Sequence, residues 1–163
     1  MKLSGVKVIT NMKPSSGFIH RARVDPKMLV REFQIDVKAT NPLNGSHGHW
    51  TQTASHREEH RTRTTSEMMA ACVPAYPVLV TLIRVAPGTL DDDSLPASMK
   101  GVRDAIAAAY GLDDADYANI FFAYRQEKVN VWGVLARIEA VANAELEWHR
   151  REVARLEKSL NRL

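Results

Sequence analysis

The first sustained pattern along the chain is alternation. Between Arg31 and Ala39, Phe33, Ile35, Val37 and Ala39 alternate with Glu32, Gln34, Asp36 and Lys38, the period of a strand with one wet face. Asn41-Pro42-Leu43-Asn44-Gly45 breaks the pattern with turn chemistry. A basic stretch follows and leads into a helix over about Glu58 to Cys72, where Met68, Met69, Ala71 and Cys72 supply a partial apolar face. Tyr76 to Val85 (YPVLVTLIRV) is apolar and β-branched, as a well-buried strand is, and Pro87-Gly88 ends it. Leu95, Met99, Val102, Ile106 and Ala109 or Tyr110 recur at helical spacing. They predict a helix from Leu95 or Ser98 to Tyr110, capped by Ser94 or Ser98 and ended by Gly111. Tyr117 to Gln126 and Val131 to Glu139 read as strands separated by a short polar turn around Lys128-Val129-Asn130. The order strand, helix, strand, helix, strand, strand predicts an α+β domain over residues 31–140. Its sheet is mixed or antiparallel, with two packed helices.

The two ends differ from this middle. Residues 1–30 are weakly patterned and basic, with Lys13, His20, Arg21, Arg23 and Lys27; Val6, Val8 and Ile9 suit a short strand, and Lys13-Pro14-Ser15-Ser16-Gly17 a loop. Over residues 141–163, Ala142, Leu146, His149, Val153, Leu156, Leu160 and Leu163 repeat at alternating gaps of four and three. These are heptad positions with Glu and Arg around them, so the tail is an amphipathic helix that packs on its own domain or on a second copy, the dimer interface being preferred.

Composition narrows the setting. With 163 residues and 45% hydrophobic content, the chain has enough material for one domain with a core. One cysteine, Cys72, excludes a disulfide framework and a Cys-based zinc site, and fits a reducing cytoplasm. The sequence shows no apolar run of membrane-span length and no signal-peptide core, so a cytoplasmic protein is expected. The net charge of +3 conceals an asymmetry: Asp91 to Asp116 carries −5 and the remainder +8. A basic body around an acidic spot suits a polyanion binder that holds a metal where it cuts. His56, Arg57, His60, Arg61 and Arg63 are the candidate DNA-binding residues. His56 and His60 also have the i, i+4 spacing of a helical zinc pair, but no third ligand stands nearby, and a solvated or phosphate-facing surface is the preferred reading.

The candidate chemistry lies in GTLDDDSLPASMKGVRDAIAAAYGLDDAD, residues 88–116. Asp91 and Asp93 stand two apart before the helix, and Asp113 and Asp114 just after it. If the chain at Asp91–Asp93 is extended, those two carboxylates share a face and Asp92 points away. Carboxylate pairs attract hard cations such as Mg²⁺ or Mn²⁺, which activate water and stabilise a phosphodiester transition state. Aspartates also simply cap helices and fill turns, the competing reading of the same residues.

Asp91-Asp92-Asp93-Ser94-Leu95, then Lys100, then Asp104-Ala105-Ile106, then Gly111-Leu112-Asp113-Asp114 resembles the signature of RusA-like Holliday junction resolvases. That family shows Asp-x-Asp-Asn-Leu, a helical Lys, Asp-Ala-Leu and an Asp-Asp after the helix. The resemblance covers roughly residues 31–140. It implies a Mg²⁺-dependent (or Mn²⁺-dependent) endodeoxyribonuclease that resolves branched DNA as a homodimer, in recombination or repair, in a bacterial cytoplasm and often in a phage or prophage context. Carried over, Asp91, Asp93 and Asp114 resemble the metal-binding aspartates, with Asp113 beside the third as a further donor. Lys100 resembles the helical lysine that works with them, and Asp104, one turn on, is placed to orient it. The chain departs from the pattern at Ser94, where the family has Asn, and in three extra residues, Pro96-Ala97-Ser98, ahead of Lys100. The alternatives are a branched-DNA-binding relative that does not cut, and an assembly protein acting through its C-terminal helix.

Overall fold

The computed structural model describes residues 21–40, 50–70 and 72–161, with the side chains of 50–53 left out. The suggested strand at Val6–Ile9, the loop at Lys13–Gly17, the turn at Asn41–Gly45, Ala71 and Leu163 lie outside the described residues. The elements in chain order are β1 (Arg23–Asp25), β2 (Val30–Ile35), α1 (Trp50–Ala70), β3 (Cys72–Pro74), β4 (Val78–Ala86), α2 (Ser94–Ser98), α3 (Lys100–Tyr110), β5 (Ile120–Lys128), β6 (Gly133–Ala140) and α4 (Ala144–Leu160). The fold is α+β, as the pattern predicts.

Among the described residues the main sheet has the order β2-β6-β4-β5 and is mixed: β4 runs parallel to β5 and antiparallel to β6. β4, α2, α3 and β5 therefore form a strand-helix-strand crossover. The turn predicted between β5 and β6 does not join neighbours. It carries the chain over the end of β4, where Val129 N–H donates to the Ala86 carbonyl at 3.0 Å, and β4 sits between the two strands. The apolar run of β4 explains this, since a strand buried on both faces belongs in the interior of a sheet.

The alternation of Phe33, Ile35, Val37 and Ala39 holds, and all four are buried. Pairing with β6 stops at Ile35, paired with Val134, and beyond it the chain stays extended without a ladder. Val78, Val80, Leu82, Ile120, Phe122, Val134, Ala136 and Ile138 meet Met99, Val102 and Ile106 in one core. α1 starts well before Glu58 and lays a narrow stripe, His60, Thr64 and Met68, against that layer. It meets α3 at Gly101. A Cβ there would stand 2.8 Å from the Arg57 carbonyl oxygen and 2.9 Å from the His60 Cβ, so any side chain would force the helices apart.

β1 pairs parallel with β3, and Ala22 N–H donates to the Ala109 carbonyl at 2.9 Å. At the other end α4 rests on the sheet face opposite α3, through Ala144, Trp148 and Arg151. Trp148 lies 5.1 Å from the Phe121 ring. Arg151 donates at 2.7 Å to Glu139, which also accepts from Arg137 at 3.3 Å. Asn143 caps the helix by accepting from Leu146 N–H at 2.9 Å.

Candidate functional site

The acidic segment departs from the single helix the pattern predicts. Pro96, Ala97 and Ser98 form a turn of their own, α2, closed by Met99 N–H donating to the Pro96 carbonyl at 3.2 Å. Met99, at φ −110° and ψ 12°, then breaks the helix before Lys100 restarts it as α3. Ser94 and Ser98 do not cap it. Ser94 is already helical, and the Ser98 hydroxyl donates back to the Leu95 carbonyl at 2.7 Å. The cap is supplied by Asp91, whose Oδ1 accepts from Ser94 N–H at 2.7 Å. Hydrogen bonds from Ser94 hold the Asp91 carboxyl below its ordinary range. Gly111, at φ 69°, ends α3: its N–H donates to the Ala108 carbonyl and that of Leu112 to Ala107.

The expected shared face of Asp91 and Asp93 requires extended backbone, and the chain is already turning there, with Asp93 at φ −76° and ψ −37°. Asp92, expected to point away, lines a groove of about 710 Å³ with Leu95, Phe122, Tyr124 and Gln126. Gln126 fixes that turn: its side-chain amide accepts from Leu90 N–H at 2.8 Å and donates to the Leu90 carbonyl at 2.7 Å. After the helix, Asp113 accepts from Ala115 N–H at 2.9 Å in a local turn. Asp114 pairs with Arg103 at 2.7 Å and lines an adjoining pocket of about 350 Å³ with Phe122 and Tyr124. Asp92 before the helix and Asp114 after it thus line pockets that share Phe122 and Tyr124 of β5.

Lys100 and Asp104 form the expected pair, at 3.1 Å. Together with Asp113 and Asp114 they line a third depression, of about 300 Å³. The residue missed by sequence reasoning is Arg103, which holds Asp114 and lies 3.4 Å from Asp104. Burial works against its charge, but Tyr124 and the two aspartates outweigh this and raise its pKa further. Tyr124's buried hydroxyl lies against this guanidinium. The available signal was spacing: Arg103 is a cation on the helix that links two acidic clusters.

Among the described residues, no three His, Cys, Asp or Glu side chains gather closely enough to hold a metal ion. The donors Asp91, Asp93, Asp113 and Asp114 are right in kind for Mg²⁺, being carboxylate oxygens. As arranged they are separate: Asp91 is spent on a cap, Asp113 on a turn and Asp114 on Arg103.

The basic stretch lies on α1. His56, Arg57, Arg61 and Arg63 are exposed. Three of them face acids: His56 is 4.0 Å from Glu59, Arg61 is 3.9 Å from Glu58, and Arg63 is 3.2 Å from Glu59 and 3.4 Å from Asp36. His60 is the correction. It is 5% exposed, packed where α1 crosses α3, and burial lowers its pKa, so it is not a phosphate-facing cation. Other arginines not singled out from the sequence, Arg125, Arg151 and Arg155, line the groove beside Asp92 together with Trp148 and Glu152. No helix among the described residues is long and apolar enough to cross a membrane. Compared with protein-family models and with curated proteins, the chain matches none.

Proposed function

We propose that this chain is an endodeoxyribonuclease of the RusA-like kind, cutting four-way or otherwise branched DNA as a homodimer in recombination or repair. The observation that carries the reading is that Asp92 of the first acidic cluster and Asp114 of the second line pockets that share Phe122 and Tyr124 of β5, in a chain whose motif order resembles that family. Asp91, Asp93 and Asp114, with Asp113 beside it, are the carboxylates offered to Mg²⁺ or Mn²⁺. Such an ion, when bound, supplies a water nucleophile and charge stabilisation at the phosphorus. Asp114 can serve in this way only after it leaves Arg103. Lys100, held by Asp104 at 3.1 Å, keeps a cation at the edge of the depression that Asp113 and Asp114 line, where it can meet a phosphate oxygen. Arg57 and Arg61 on α1, and Arg125 in the groove, are exposed cations suited to the DNA backbone.

A second reading is a branched-DNA-binding protein that does not cut. The Arg103–Asp114 pair and the lack of a gathered donor set among the described residues favour it. Gel-shift and cleavage assays on a synthetic four-way junction, in chelator and then in Mg²⁺ or Mn²⁺, separate the two. Strand cleavage with either ion supports the nuclease. Binding in chelator without cutting under any divalent ion supports the second reading. No binding even at low salt, where phosphate contacts are strongest, overturns both.

A further inference from the structure

Among the described residues, nothing covers the apolar stripe of α4. Leu146, Val153, Leu156 and Leu160 are 69%, 55%, 49% and 69% exposed, although the helix is anchored to the sheet along another side. From Leu146 through His149, Val153 and Leu156 to Leu160 the gaps are three, four, three and four residues. Leu146, Val153 and Leu160 are therefore a positions of a heptad, and His149 and Leu156 are d positions. Exposed apolar residues in one continuous seam, rather than scattered singly, mark a contact surface.

The charges beside the seam decide what covers it. The e positions are Arg150 and Glu157; the g positions are Glu145, Glu152 and Ser159. In a parallel pair of these helices, each g residue faces the following e residue of the partner. Glu145 would meet Arg150, but Glu152 would meet Glu157, and the two copies of His149 would face each other. In an antiparallel pair, e faces e and g faces g. In the register that stacks Val153 on Leu156 and His149 on Leu160, Arg150 meets Glu157 twice by symmetry and Glu152 meets Ser159. No like charges face one another. Arg150 and Glu157 are exposed, and neither makes an ion pair among the described residues.

We infer that two copies of this chain associate through an antiparallel α4–α4 seam related by a twofold axis. The helix is already in place for it. The Asn143 cap, the Arg151–Glu139 bond at 2.7 Å and the Trp148–Phe121 contact order α4 before any partner arrives, which removes part of the cost of association. The inference does not rest on the nuclease reading, because its readout is mass rather than cleavage.

Sedimentation of the full chain at micromolar concentrations tests it. The expected result is a species of twice the 18.3 kDa chain mass. Val153→Asp should yield a folded monomer, since that side chain is 55% exposed. Glu157→Arg alone should weaken self-association by about tenfold or more, because Arg150 then faces a second cation at both ends. Adding Arg150→Glu should restore it. A chain that stays monomeric, or a dimer indifferent to Val153→Asp, would overturn the seam. Tighter association of Glu157→Arg would also overturn it, since relief of the Glu152–Glu157 clash is what a parallel pair requires.

Discussion

Two helices pack on opposite faces of one sheet, and they spend their apolar residues differently. α3 turns Val102, Ile106 and Tyr110 into the sheet and gives Gly101 to α1, so its amphipathic pattern is consumed within the chain. α4 buries only Ala144 fully and holds the sheet largely by charge, through Arg151 and Glu139. Its leucine seam faces away. Hydrophobic periodicity reports that a helix has a partner surface without saying whose. The difference also separates two kinds of attachment. The dry α3 interface should carry the fold, while the charged α4 anchor should tune it.

Breaking the α3 side should therefore have the largest effect. Ile106 is fully buried, and Ile106→Ala should cost about 2–5 kcal/mol in chemical denaturation, from lost transfer energy and the cavity left behind. Gly101→Ala comes next. Its Cβ meets backbone at 2.8 Å, and overpacking of this kind costs about 1–3 kcal/mol. The outcome to watch is whether α1 loosens first, as amide exchange over Arg57 to Thr64 would show.

The α4 side should respond to pH instead. Burial alone would push the Glu139 carboxyl up, but hydrogen bonds from Arg151 and Arg137 outweigh burial and hold it below its ordinary value of 4.5. Because the folded-state value is the lower one, the contribution is complete above about 4.5 and is lost as pH falls through the depressed value. Glu139→Gln should accordingly cost about 1–2 kcal/mol near neutrality and flatten the acid limb of the stability profile. An unchanged acid limb would remove the charged anchor from the comparison. Smallest of all, Leu156→Ser should change monomer stability by no more than about 0.5 kcal/mol, as surface substitutions do, while abolishing self-association. A large loss of monomer stability would mean that α4 folds back on its own domain.

The fold was largely legible where period and burial agree: the β2 alternation, the β4 apolar run, the α3 face and the α4 seam are all in the sequence. The β4–β5 adjacency was harder to see, because the link between β5 and β6 reads locally as a hairpin, and only competition for the sheet interior places β4 between them. At the site, Lys100 and Asp104 were legible because their spacing is helical and their pairing local. Arg103 was not, because its partner Asp114 lies beyond the helix end and only the returning chain brings them together. Asp91 misled through backbone geometry. Two residues of turn convert an apparent strand pair of carboxylates into a helix cap. His60 misled through its neighbours, since a histidine in a basic run is read as surface until Gly101 brings α3 against it.

The proposed nuclease does its cutting in the Asp91–Asp114 segment. Single-turnover cleavage of a four-way junction in Mg²⁺, wild type against Asp93→Asn, tests it most directly. Asp93 is exposed and its side chain makes no cap hydrogen bond, so the substitution should leave the melting temperature unchanged. The wild type should cleave, and the variant should lose about a hundredfold or more, the scale on which removing charge stabilisation at a reacting centre slows catalysis. No cleavage by the wild type, or equal cleavage by both, would contradict it.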